Sequence, residues 1–219
     1  SVVWTAGIPD SAVAWYDATA LTLTDGSEVT NWGDETTEGN DLSGTGATYQ
    51  TGVQNGNAVV RFDGTDDHLT RSDANYTDLT QPITIICVVV DAAQGGSFER
   101  IVWRPNTDDS SFGLSWNASN STWDIWAGNN VYGGSTAPPL ILTGIVSGSN
   151  SVIRENGTQT GSGDAGDNTM QSISLGGRGG DQVLTGDIGE ALVYDADLSV
   201  TGDLADEEQR LADKWGIAI

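Results

Sequence analysis

The chain predicts an all-β domain closed by a single C-terminal helix, and three observations predict it. Twenty-nine of the 219 residues are glycine, and Thr/Val/Ile runs recur between Gly, Asn and Asp clusters, the composition of many short strands joined by tight turns. Helical periodicity is absent before residue 201. From 203 to 215, in contrast, Leu204, Ala205, Leu211, Ala212 and Trp215 fall on one helical face, with Asp206, Glu207, Gln209, Arg210 and Asp213 opposite. A sandwich of this length forms one unit, and no linker or internal repeat divides residues 1–219.

Residues 14–18 (AWYDA) open as a short strand, followed by residues 25–32 (DGSEVTNW) and a polar loop. Residues 53–63 form an apolar strand through Ala58, Val59, Val60 and Phe62 that stops at Asp63-Gly64. After a return at His68-Leu69, residues 81–92 (QPITIICVVVDA) carry an apolar run, Ile83 to Val90, that reads as a strand buried on both faces. Residues 101–104, 112–116, 122–127 and 140–147 continue as strands. Asn156-Gly157 lies between strand-like flanks and marks a type I′ hairpin. Residues 172–177 (SISLGG) and 184–198, where residues 188–194 alternate, complete the β region. Thr201 or Asp203 is placed to cap the helix, and Gly216 sits where a left-handed stop belongs.

Several of these segments, AWYDA, DGSEVTNW, NGNAVVRFDGTDDHL, VIRENGT, SLGG, GDIGEALVYDADLS and LADKWGI, resemble in order the laminin-G-like branch of the concanavalin A-like lectin/glucanase superfamily. The resemblance implies two antiparallel sheets packed as a jelly-roll sandwich, the terminal helix docked on an edge, and a domain that binds rather than transforms. It also implies one Ca²⁺ at the rim, held by aspartates and backbone carbonyls.

Thirty-one acidic residues face eight basic ones, a formal net charge of −23, and Lys214 is the only lysine. Condensed phosphate needs Lys/Arg partners, so nucleic acid and anionic membranes are excluded as ligands. In molar salt the Debye length falls to about 3 Å and self-repulsion is screened. A salt-loving source, or a virus of one, is the expectation. Cys87 is alone within the apolar run and reads as a small core hydrophobe. No apolar window is long enough for a transmembrane helix, and no leader pattern accompanies Ser1, which is expected to follow an excised methionine or a processed leader.

Retaining glucanases set two glutamates at strand spacing with carboxyls about 5 to 5.5 Å apart. The eight glutamates here include no such pair, and His68 has no nucleophile motif around it. The expectation is therefore no enzyme and no catalytic residue. Asp63, Asp66, Asp67 and Asp187 supply hard oxygens in two turns, the donors calcium takes, although aspartates also satisfy turn amides. Among eight tryptophans, Trp15, Trp32, Trp103 and Trp215 read as core. In residues 122–128 (TWDIWAG), Trp123 and Ile125 share one face and Trp126 points with Asp124 to the other. Trp126, Asp124, Asn129, Asn130 and the loop residue Tyr132 are the candidate ligand patch, because sugar rings stack on exposed aromatics. Asn75, Asn117, Asn120 and Asn156 begin glycan acceptor triplets.

These observations point to a recognition module outside the cytoplasm, on a cell surface or virion exterior, with a surface glycan or glycoprotein as partner. A capsid decoration or spike subunit acting through homo-oligomer and virion contacts is the alternative, and a polysaccharide hydrolase or lyase the third reading.

Overall fold

The computed structural model describes residues 11–71, 77–95, 98–103, 111–177 and 182–219. Its strands are β1 (Ala12–Asp17), β2 (Asn31–Trp32), β3 (Leu42–Thr45), β4 (Thr48–Gln54), β5 (Asn57–Asp63), β6 (His68–Thr70), β7 (Ile83–Ala92) and β8 (Glu99–Trp103). They continue as β9 (Gly113–Asn117), β10 (Thr122–Trp126), β11 (Asn130–Tyr132), β12 (Leu140–Val146), β13 (Ser151–Glu155), β14 (Thr158–Gly163), β15 (Ser174–Leu175) and β16 (Thr185–Tyr194). Two helices follow, α1 (Leu198–Thr201) and α2 (Leu204–Trp215).

Among the described residues these strands form two eight-stranded antiparallel sheets. Sheet A runs β14-β13-β12-β7-β16-β5-β4, with β1 also on β16; sheet B runs β11-β10-β9-β8-β15-β6-β3-β2. Their inner faces enclose the main core, which includes Trp32, Phe62, Leu114, Trp116 and Trp123. The predicted two-sheet sandwich with a C-terminal helix is the observed architecture.

Strand β7 is buried from Ile83 through Val90, as its continuous apolar run requires. Ile83, Ile85, Cys87 and Val89 enter the core between the sheets. Ile86, Val88 and Val90 face a second cluster formed with Leu204, Leu211, Ala212 and Trp215. The terminal helix therefore covers the outer face of sheet A rather than docking on an edge. A sheet centre that is apolar on both faces has to be covered twice.

Glu190 fixes the seat of that helix. Strand β16 pairs with β5 up to Ile188, bulges at Gly189, and pairs with β1 from Glu190 onward. Gly189 leaves room for the Trp215 ring, which a β-carbon there would meet at 2.5 Å. Glu190, fully buried, accepts from Trp15 Nε1 (2.8 Å) and Arg210 (2.7 Å) on one oxygen, and from Lys214 (2.6 Å) and Trp215 Nε1 (3.0 Å) on the other. Lys214 also donates to Asp17 at 2.6 Å. Burial alone would raise the Glu190 carboxyl, but Arg210 and Lys214 outweigh it and hold it below its ordinary value.

The helix end is closed from a distance. Gly216 adopts the expected left-handed stop at φ 64°. Asn55 and Asn57 donate to the Lys214 carbonyl at 3.0 and 2.8 Å, and Gln54 donates to that of Trp215 at 2.9 Å. These are carbonyls a helix leaves unsatisfied at its C-terminus.

Several sequence expectations change. The segment 53–63 is not one strand: Asn55-Gly56 turns it into the β4–β5 hairpin, with both residues at positive φ like the predicted Asn156-Gly157 turn. Asp203 caps without a side-chain hydrogen bond, and the short α1, capped by Asp197, precedes it. Ala205 is exposed, whereas Glu207 and Glu208 are buried because Arg210 and Arg154 neutralise them. Cys87 is buried in the core as a free thiol. Arg104, the last residue of one predicted strand, lies outside the described residues.

Replacing Glu190 with Gln removes the carboxylate that Arg210 and Lys214 share, leaving Arg210 with Glu207 and Lys214 with Asp17. Breaking a buried pair in this way costs on the order of 3 to 5 kcal/mol, so chemical denaturation of the Glu190→Gln variant is expected to show a loss of that size. A loss under about 1 kcal/mol would mean the cluster does not seat the helix.

Candidate functional site

Sheet B presents its outer face along β8 to β11, and the sequence-predicted ligand patch lies there. Trp123, Ile125, Leu114, Trp116 and Val131 fill the core, so alternation turns the residues between them outward. The β9–β10–β11 register sets Ser115, Asp124 and Tyr132 in one cross-strand row, with Gly113, Trp126 and Asn130 in the next. Trp126 is partly buried and Tyr132 is 44% exposed. Tyr132 stands on a strand rather than in the expected loop, and Asn129 is exposed in the turn before it.

Asp124 takes a different role from the one its neighbours suggest. It is 1% exposed and accepts from Ser115 Oγ and, at 2.8 Å, from Asn117 Nδ2. Arg100 donates to Ser115 Oγ at 2.8 Å and to Gln182 Oε1 at 2.7 Å, and its guanidinium lies 3.8 Å from the Trp103 ring centroid. Burial raises the Asp124 carboxyl against the lowering effect of these hydrogen bonds and of Arg100. With both oxygens engaged, Asp124 stiffens the strands beneath the aromatics and does not reach a ligand directly. Trp103 is buried but belongs to neither apolar cluster; it packs on this face against Arg100.

The acceptor triplets divide accordingly. Asn117 is buried in the Asp124 network, and Asn156 Oδ1 accepts from the Ile141 amide at 2.8 Å, so neither side chain is available for a glycan. Asn120 is exposed, and Asn75 lies outside the described residues.

The four predicted metal residues separate. Asp187 is bound bidentately by Arg61 at 2.7 Å through both oxygens, which satisfies its charge and removes it from the set. Asp63, Asp66 and Asp67 do come together, with one oxygen of each within 4.8 Å of the others. Asp63 and Asp66 are exposed, while Asp67 is buried and accepts from the Asp63 amide at 2.8 Å. Three convergent hard oxygens fit calcium chemistry in part, since that ion takes six to eight.

One group escaped the sequence reading. Glu99 sits opposite Trp116 on the inner side of sheet B, 3% exposed, with one carboxylate oxygen unpartnered. Burial pushes its pKa up to about 7 against the pull of the Gly95 and Gln94 amides. A single glutamate in a strand gives no sequence signal of such burial.

No protein-family model matches the sequence, and no curated protein matches it. Solved structures do share its fold. A Trypanosoma rangeli sialidase in complex with sialic acid aligns over 95% of this chain and 34% of its own, with TM-score 0.60 and 14% identity. A second structure of Trypanosoma rangeli sialidase gives TM-score 0.58 and 14% identity over 86% of this chain and 31% of its own. Domain 4 of a GH43 extracellular arabinanase from Geobacillus stearothermophilus, in complex with arabinotriose, aligns over 89% of this chain and 98% of its own, with TM-score 0.58 and 16% identity. The chain thus spans about a third of the sialidases it matches. These neighbours overturn the expectation that the domain is no enzyme: the proteins sharing its fold are a sialidase and part of an arabinanase. The missing glutamate pair excludes only the glucanase arrangement, because one sandwich hosts many chemistries.

Glu99 gives a pH signature. Its folded pKa lies above the ordinary carboxylate value of 4.5, so its contribution to stability is full below about pH 4.5 and lost as pH rises through about 7. Glu99→Gln is expected to flatten the pH dependence of the denaturation midpoint between 4.5 and 7; an unchanged slope across that window would contradict the assignment.

Proposed function

We propose that this domain recognises carbohydrate on the outer face of sheet B, with Trp126 and Tyr132 as the stacking surface and Asn129 and Asn130 as hydrogen-bonding groups. The observation that carries the reading is the pairing of a partly buried and an exposed aromatic with a fully engaged polar network beneath them. Sugars are bound by rigid aromatic faces flanked by a few placed polar groups, and a strand pair locked from below supplies that rigidity. The arabinanase domain, which matches over nearly all its length and was solved with arabinotriose, supports the ligand class.

The setting follows from charge. A net charge of −23 with one lysine suits a surface exposed to concentrated salt, so the partner in this reading is a surface glycan or glycoprotein at a halophilic cell or virion exterior. Calcium, in the same reading, sits at Asp63, Asp66 and Asp67. A second reading, favoured by the third of each sialidase that the chain spans, makes the domain one part of a larger carbohydrate-active enzyme.

Glycan-array binding in molar salt tests the proposal. Trp126→Ala is expected to weaken binding at least tenfold, about 1.4 kcal/mol, and a chelator to weaken it where calcium contributes. Undiminished binding by Trp126→Ala would move the ligand elsewhere. A folded protein that binds no glycan and buries Trp126 in a homo-oligomer would favour the structural-subunit reading instead.

A further inference from the structure

The charge around the proposed sugar surface selects among sugars. Beneath it lies the Asp124 carboxylate, and the cation beside that carboxylate, Arg100, is already held by Ser115 and Gln182 and packed against Trp103. At the end of β10 the segment 164–168 is stitched to the site. The Ala127 and Asn129 amides both donate to the Ala165 carbonyl, at 3.0 and 2.8 Å, and the Asn168 amide donates to the Ala127 carbonyl at 2.9 Å. That segment carries two exposed aspartates, Asp164 and Asp167, one and two residues from Ala165. Among the described residues no uncommitted cation stands on β8 to β11 to offset them.

We infer that the face accepts uncharged glycans and rejects acidic sugars such as sialic or uronic acids. The inference rests on the carbohydrate reading of this face and names the class of sugar within it. A carboxylated sugar needs a cation, or at least two donors aimed at its carboxylate, whereas the described part of this rim carries the like charge of Asp164 and Asp167. Like-charge juxtaposition is a device of exclusion, costing an acidic ligand affinity without contributing to a neutral one. The assignment runs against the most direct analogy, because the sialidase that shares the fold was solved with sialic acid.

The test compares matched pairs: a galactose-terminated oligosaccharide and its sialylated counterpart, each titrated calorimetrically against the whole chain at several salt concentrations. The neutral member is expected to bind at least tenfold tighter, with the gap narrowing as salt rises, since screening weakens rim repulsion. In Asp167→Arg, a substitution at an exposed position, the sialylated member is expected to gain severalfold while the neutral one holds. Equal or tighter binding of the sialylated member to the unsubstituted chain would overturn the inference and leave the carbohydrate reading standing. Binding of neither member, nor of any neutral or acidic glycan on an array, would overturn both.

Discussion

A fully buried glutamate organises the helical side of this molecule. Glu190, on the bulged strand, gathers two indole N–H groups and two cations from two distant parts of the chain: the first described strand and the last helix. Burying a carboxylate without such partners would cost several kcal/mol, so the helix has one position in which the cost is offset. Everything nearby follows from that position. Gly189 has to be glycine because Trp215 lies over it, and Asp17 completes the Lys214 site. The β4–β5 hairpin reaches across to close the helix end. Motifs far apart in sequence are thus one cluster in space, and their role is to hold sheet A.

Sheet B solves a different problem with similar means. Its inner face, apolar apart from Glu99, seals the core, whereas its outer face carries a chain of engaged polar groups from Gln182 through Arg100, Ser115 and Asp124 to Asn117. Among the described residues no helix covers this face as α2 covers sheet A. A satisfied polar network keeps strands rigid without closing them off, and it leaves Trp126 and Tyr132 at the surface. Scaffold and candidate site therefore occupy opposite faces of the sandwich.

Much of this was legible in local sequence, and the limits have physical causes. Seven apolar residues in the eight positions from Ile83 to Val90 announced a strand covered on both faces, and alternation in β10 turned Trp126 and Asp124 outward. Gly216 announced the helix stop. What alternation cannot give is the partner. Asp124 is outward yet buried because Ser115 and Asn117, set by strand register, enclose it. Asp187 left the acidic set because Arg61, 126 positions away, stands directly across the ladder. Glu207 reads as solvent-facing because nothing in the sequence pairs it with Arg210. The Asn55-Gly56 turn carries the same dipeptide signal as Asn156-Gly157, but Val53 before it and Ala58 to Val60 after it read together as one strand.

The division of labour between the two faces is the central claim, and backbone amide chemical-shift mapping of the folded domain during titration with a neutral oligosaccharide tests it most directly. The account places the largest perturbations in β9, β10 and β11, around Trp126, Asn130 and Tyr132, and leaves α2 and the Glu190 cluster unmoved. Perturbations concentrated at the helix, or at the open groove formed by Thr19, Tyr49, Thr51 and Asn57 on sheet A, would contradict it.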